Sequence, residues 1–491
     1  MRCRFSGWVL AVLFVMGCSS SSGEGDGAGS VDPKDFYRGG TRLKAHVTTT
    51  AQGLSWPTES RDTWHDSTLN KGCVWEASGP DGAFTCMPQD LELVPNRGRG
   101  LYFDAACTEG MFARYPPLPS GPHFVKKKDS CGVYSSIHVV GEQVAPPAAY
   151  FHDGTKCAAT QLSSGLAVYR VGEEVPAGTF VRGTLKQRQS GPRLSASFIE
   201  GEDGSMQFSH LQDMLQDTAC MPVKASDGKS RCVPMGHTTV RNHASYLAAN
   251  DTCTQPAFSD ACVDSPRFAV VPAEETCGLS ATVYEVGEPV TQLYISSGSE
   301  GDCRPSPSGP PSGSVFGPGV EIPASTFLEA KEAHLKSYGR LEVRGPQLDG
   351  SVLVPSVLHD TQLGTPCKFG EDMSQKLRCF PDSNLFSLGE FFADSSCTKP
   401  LTLAFESTSR CVSSSPSGYI LERTFAVDGT PRHRAFHPGP KYEGPIFTGG
   451  NFGGNNPPNC LPLGRPPGLI AYKLGAEIPA TSLVEGKRVR D

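Results

Sequence analysis

The sequence predicts an all-β protein made of three tandem copies of one disulfide-bonded unit. Three observations carry this. The first is turn chemistry: 54 Gly and 41 Pro among 491 residues break the chain into short pieces, which suits strands and tight turns better than long helices. The second is what lies between the breaks. Phe84-Thr85-Cys86, Leu166-Ala167-Val168-Tyr169-Arg170-Val171 and Tyr284-Glu285-Val286 are aromatic or β-branched and bounded by turn formers, the pattern of half-buried strands. The third is a long period: Cys73, Cys220 and Cys367 are 147 residues apart, as are Asp66, Asp213 and Asp360. A fixed spacing of this length marks internal duplication.

The unit is legible position by position. It opens on Arg42-Leu43, Arg193-Leu194 or Arg340-Leu341. Next come Trp64-His65-Asp66, Leu211-Gln212-Asp213 or Leu358-His359-Asp360, then a first Cys, then a second in Cys-x-Pro (Cys86, Cys232, Cys379). A third Cys follows an Asp or Asn by three residues: Asp104/Cys107, Asn250/Cys253, Asp394/Cys397. Fourth and fifth Cys are read at 131 and 157, 277 and 303, 411 and 460. An aromatic-x-x-Gly-x-Glu-(Val/Ile)-Pro-Ala phrase closes the unit at Tyr169, Phe316 and Tyr472. The repeats therefore run 41–181, 182–338 and 339–491, after residues 1–17 and a segment 18–40.

Each unit holds seven to nine strand candidates. Two four-stranded sheets per unit predict a six-bladed β-propeller-like ring, and the alternative is three consecutive β-sandwich or barrel domains. Only 327–337 (FLEAKEAHLKS) has helical character. The first two Cys of each unit flank a turn, with Asp81-Gly82 or Asp227-Gly228 in two copies, so the expected bridges are Cys73–Cys86, Cys220–Cys232 and Cys367–Cys379. Pairing fourth with fifth leaves Cys253 for the extra Cys262, and leaves Cys107 with Cys397 if repeats one and three are neighbours.

The N-terminus reads as an address. Arg2 and Arg4 precede the apolar run Trp8–Met16, which is too short for a bilayer core of about 30 Å. Val15-Met16-Gly17-Cys18, followed by a Ser/Gly-rich stretch, resembles the lipobox of bacterial lipoproteins. The resemblance implies a signal peptide over 1–17, lipid on Cys18 and a flexible tether over 18–40. With Ser19 behind the Cys it implies the outer membrane, lipid-anchored, periplasmic or surface-exposed. The whole chain is similar to uncharacterised cysteine-rich repeat lipoproteins of Gram-negative soil bacteria, which implies a location but no activity. That compartment is oxidising and favours disulfides.

A net charge of −7 disfavours a nucleic-acid partner. Neither the zinc-protease His-Glu-x-x-His nor the Gly-x-Ser-x-Gly elbow occurs, and Gly228-Lys229-Ser230 lacks the first Gly of a P-loop. With no Cys-x-x-Cys pair, neither a thiol redox role nor a structural zinc site is expected; no catalytic residue, metal ligand or cofactor is assigned, though His433 with His437 could hold a metal. His65-Asp66 and His359-Asp360 are tempting pairs, but Gln212 replaces His in the second copy while Asp stays. That points to a turn cap, and the Asp or Asn before the third Cys reads the same way.

What all copies share is scaffold; what one copy adds is a candidate for function. The fourth-to-fifth Cys spacing is 26, 26 and 49, so the extra segment, about 430–459, is the expected binding loop. Its candidate ligand residues are His433, Phe436, His437, Tyr442, Phe447 and Phe452, with Arg432, Arg434, Asn451, Asn455 and Asn456 beside them. The expected function is an envelope-anchored binding or scaffold module for an extracellular glycan or protein. The alternative is a secreted propeller-type hydrolase whose catalytic loops carry no recognisable motif.

Overall fold

The computed structural model describes residues 32–490 except 58–63, 78–82, 89–98, 115–122, 129–133, 146–147, 154–155, 163–165, 236, 239–240, 243–244, 260–266, 272–279, 297–302, 307–314, 351, 383–385, 388–390, 406–417, 427–429, 451–458 and 464–468. The expected signal segment over 1–17, Cys18, Cys131, Cys262, Cys277, Cys411, Phe452 and the expected Asp81-Gly82 turn lie outside the described residues. Among those residues the chain is all strand, relieved only by short 3-10 turns, and no helix is long and apolar enough to cross a membrane.

Every repeat has the same two parts. The front part is an antiparallel meander. An opening strand (Leu43–Thr50, Leu194–Gly201, Leu341–Leu348) is followed by an aspartate strand (Trp64–Asp66, Met206–Asp213, Val357–Asp360). A cysteine hairpin comes next (Lys71–Ala77 with Phe84–Pro88, Thr218–Lys224 with Ser230–Pro234, Thr365–Asp372 with Leu377–Pro381). Alternation turns Leu43, Ala45 and Val47, or Leu194, Ala196 and Phe198, onto one face, where they pack on the hairpin's two Cys.

The rear part is a sheet plus a smaller flap, four and three strands in the first copy and five and four in the second. In the first copy the sheet is Met111–Arg114, Ala167–Glu174, Tyr134–Val144 and Phe124–Lys128. The flap is Arg99–Tyr102, Ala149–Asp153 and Cys157–Thr160. The other copies repeat these pairings, around Thr282–Pro289 and Val315–Glu321 in the second and Pro431–Tyr442 and Leu469–Ile478 in the third.

A bridging strand leaves each copy and joins the front parts edge to edge. Arg182–Ser190 pairs with Phe84–Pro88 of the first copy and the opening strand of the second. Lys331–Tyr338 pairs along the third opening strand, and residues 328–330 reach back to 230–232 of the second. Glu485–Arg490 pairs with Leu377 and Arg378 of the third copy and with His46–Thr50 of the first. The pairing thus returns to where it began.

The expected propeller does not form. Propeller blades are separate sheets, whereas here the front sheets share hydrogen bonds through the bridging strands and the rear sheets stand apart from them in the first two copies. Consecutive β domains describe the chain better. The helix expected over 327–337 is instead the bridging strand Lys331–Tyr338. Its Ala, Glu and Lys favour helix locally, but full pairing with Leu341–Leu348 overrides that weak preference.

The tether expected to run to residue 40 ends earlier. Asp32 caps a 3-10 turn over Pro33–Asp35, and Tyr37–Arg38 pairs with Met206 and Gln207. Phe36 is buried among Leu194, Phe198 and Leu348.

The disulfides Cys73–Cys86, Cys220–Cys232 and Cys367–Cys379 close the front hairpins. The others correct the expected pairing. Third bonds fifth in every copy: Cys107–Cys157, Cys253–Cys303 and Cys397–Cys460. The pairs Cys107–Cys397 and Cys253–Cys262, and the bonding of fourth to fifth, are therefore excluded. The reason is local: the fifth Cys lies on a flap strand, beside the loop that carries the third.

Candidate functional site

The sequence signatures turn out to be one device. Arg42 Nε and Nη2 donate to Asp66 Oδ1 and Oδ2 at 2.9 and 2.7 Å, and Nη2 also donates to Thr179 O in the closing 3-10 turn at 2.6 Å. Arg193 does the same with Asp213 and Thr326 O. In the third copy the contact is single-pronged: Arg340 donates through Nε to Asp360 Oδ1 and through Nη1 to Ser482 O. Each Asp also accepts two backbone N–H groups, such as Thr68 and Leu69 on Asp66. The opening Arg, the central Asp and the closing phrase therefore form one staple per copy. In the first two copies both carboxylate oxygens are committed to scaffold, so no oxygen of Asp66 is left for His65; in the third, Oδ1 of Asp360 carries the staple and both turn amides.

The Asp or Asn before the third Cys is likewise a cap. Asp104 accepts from Ala106, Thr108 and Glu109 N, and Asp394 from Thr398 and Lys399 N. These bonds hold Asp104 and Asp394 below the usual carboxylate range. They also fix the left-handed turn that puts Cys107, Cys253 and Cys397 at φ near +53°.

The described residues of the expected loop at 430–459 are framework strands. Pro431–Tyr442 is the counterpart of Tyr134–Val144 and Thr282–Pro289, and Ile446–Gly450 with Asn459–Leu463 is the flap hairpin every copy has. Part of the long Cys spacing arises because Cys411 precedes strand Ile420–Phe425, whereas Cys131 and Cys277 follow the equivalent strands; the rest is extra length, since third and fifth Cys are 63 residues apart here and 50 in the other copies. Within that segment Phe436 is buried and the His433 ring packs against Phe380. The Tyr442 hydroxyl donates to Ala393 O, and exposed His437 lies against Tyr419. Phe447 is half-buried on its flap strand. These side chains brace separate contacts and do not converge.

The concave feature lies elsewhere. A cleft of about 800 Å³ opens between the front parts of copies two and three. Its wall is apolar: Phe36 and Tyr37 from the N-terminal segment, Trp56 and Pro57 from copy one, Phe208, Met221 and Met235 from copy two, Pro346 and Val354 from copy three. Gly345 lets the wall close, because a Cβ there would collide with Val354 O. Few polar groups enter. Arg344 is held by Glu342, with Nη2 to Oε2 at 2.7 Å, and this bond keeps the Glu342 carboxyl below its usual range. His210 is pushed towards its neutral form by burial and stands 3.0 Å from the Ser209 hydroxyl, with no carboxylate on it among the described residues. Nδ1 of His359 is buried without a partner.

Family models match residues 34–306 and 169–481. The chain belongs to DUF7481, a family of unknown function. The two matches overlap across the second copy, and each spans about two consecutive repeats, so the family unit is itself a pair. No curated protein and no solved structure matches the chain.

Sequence reasoning missed the cleft because its walls come from distant positions. One signal was available. Met221 and Met235 stand one residue after the first Cys and one after the Cys-x-Pro; Lys368 and Asp382 hold these places in the third copy and face each other at 3.7 Å. In the second copy both positions are methionine, 52% and 55% exposed.

Proposed function

We propose that this member of the DUF7481 family is a lipid-anchored binding module of the cell envelope, and that the cleft between copies two and three takes an extended apolar segment of a polypeptide. The observation that carries the reading is the lining. Prolines, aromatic rings and two exposed methionines make an adaptable apolar surface, with only a few oriented polar groups. A glycan site would present many more hydrogen-bonding side chains along its floor. The lipobox-like Val15-Met16-Gly17-Cys18 supports the anchor.

Peptide and glycan arrays probed with the chain from Ser19 onward test the ligand class. Peptide binding lost in Met221→Lys with Met235→Asp, at unchanged melting temperature, is the expected result. That pair copies the third repeat's own solution, so folding should tolerate it. Glycan binding, or peptide binding indifferent to the pair, overturns the reading. Mass spectrometry of the N-terminal peptide, with Cys18→Ser as control, tests the anchor separately.

A further inference from the structure

The face opposite the Arg–Asp staples carries a cluster that the cleft does not use. The bridging strand places Arg490 directly across from His46. Arg490 Nε donates to His46 Nε2 at 3.2 Å, and its Nη1 stands 3.5 Å from His65 Nε2. The two imidazoles stack, with centroids 5.8 Å apart. Lys44 is opposite His65 on the neighbouring strand and spends its ammonium on Gly40 O. Among the described residues Arg490 meets no carboxylate; its partners are two imidazoles.

The other copies show how unusual this balance is. The equivalents of Arg490, His46, His65 and Lys44 are Gln187, Ser197, Gln212 and Ser195 in copy two, all uncharged. In copy three they are His334, Arg344, His359 and Glu342. The third copy thus has the same two imidazoles and one guanidinium in permuted places, but there Glu342 neutralises the Arg. Only the first copy puts Lys where the third puts Glu.

We propose that this seam, where the last strand closes on the first repeat, is an oxyanion site that takes a phosphate group on Arg490, His46 and His65, with Lys44 adding charge. The guanidinium offers a planar fork suited to a tetrahedral oxyanion. Each imidazole that gains a proton turns its Nε2 from acceptor to donor. The groups facing the pair are Lys44 from the opening strand, Asp66 and Asn70 from the aspartate strand and its turn, and Arg488 and Arg490 from the bridging strand. Asp66 is committed to Arg42, and Arg488 to Glu371 at 2.9 Å. Burial first, then the charges of Arg490 and His46, lowers the His65 pKa. An arriving oxyanion reverses the last two influences, so affinity rises as pH falls.

Calorimetric titration with inorganic phosphate at about pH 6 and about pH 8, at constant ionic strength, tests this. Sub-millimolar binding at the lower pH, at least about tenfold weaker at the higher, is expected. Arg490→Gln and His65→Gln should each weaken it by about tenfold or more, and His359→Gln should leave it unchanged. His65→Gln copies Gln212 of the second repeat, so a folding failure there is not expected. A parallel titration with a sugar phosphate separates free phosphate from an ester-borne group: tighter ester binding assigns the ester, tighter inorganic binding the free ion. No binding of either by about 10 mM, binding that ignores pH, or binding that survives Arg490→Gln overturns the proposal.

Discussion

Removing the carboxylate of the first staple has a calculable effect and a built-in reporter. Asp66 is 1% exposed, and its oxygens serve Arg42 and the N–H groups of Thr68 and Leu69. Asp66→Ala leaves Arg42 facing a buried gap and two amides without acceptors. One-sided loss of a buried ion pair costs about 3–5 kcal/mol. The Arg42 side chain is 23% exposed, so water relieves part of this and the lower end applies, about 3 kcal/mol. Asp66→Asn keeps an oxygen for the amides and removes only the charge, so it should cost about 1 kcal/mol less. The double change Arg42→Met with Asp66→Leu should be milder than the sum of the singles, with coupling of about 2 kcal/mol. Urea unfolding followed by tryptophan fluorescence reads the effect locally, since Trp56, Trp64 and Trp75 all belong to the first copy. Fully buried Trp64 is two residues from the change and donates to Gln207 of the next copy. A loss under about 1 kcal/mol for Asp66→Ala, or strict additivity in the double variant, would refute the staple.

Three further outcomes are expected. Peptide mapping of the oxidised protein should recover Cys107 joined to Cys157 and Cys253 joined to Cys303; since each closes a span of 50 residues, replacing both Cys of one pair by Ala should cost about 4 kcal/mol in a denaturation midpoint analysis. Stability should be fully present above about pH 6.5 and fall below it, because burial lowers the pKa of His65, His210 and His433 and the unfolded chain takes up protons first; thermal melts from pH 8 to 5 read this, and a flat profile over that range is the contrary result. Ending the chain after Leu483 removes the strand that pairs with both the first and third copies, so the melting temperature should drop and the Trp64 environment loosen, whereas an unchanged melt would mean the seam carries no stability.

Much of this was readable from residues. Strand alternation at Leu43, Ala45 and Val47 and the shared Cys spacing name the elements and the copies, because duplication repeats every local preference in register. The disulfide partners were not readable. The front bridges sit in hairpins, where sequence neighbours are spatial neighbours; the rear ones depend on a flap strand returning beside the Asp104 loop, a contact with no local signal. The bridging strand at 331–338 was misread for a related reason. Ala333 and Lys336 favour helix, and only the edge offered by Leu341–Leu348 decides otherwise. The size of the extra segment was overstated through a counting assumption: Cys411 was matched to Cys277 by order, while strand order places it where Cys262 lies, and the third-to-fifth Cys span shows the third copy longer by 13 residues, 63 against 50.

Searching for what one copy adds remains sound once the copies are aligned by strand rather than by Cys. Two departures then stand out, and they lie on different parts of the front ring. Copy two replaces the Lys368–Asp382 type of pair with Met221 and Met235 beside the cleft, an apolar change at an exposed place. Copy one replaces the Glu342 type of counter-charge with Lys44 beside Arg490, an electrostatic change. Neither helps the fold: exposed methionines gain no burial, and an unbalanced cationic cluster costs self-repulsion. The staples, caps and disulfides are kept in all three copies, so the scaffold does not require these departures. A repeat protein that tolerates unfavourable substitutions at two separate places, while its threefold framework stays intact, is organised to present different chemistry from each copy.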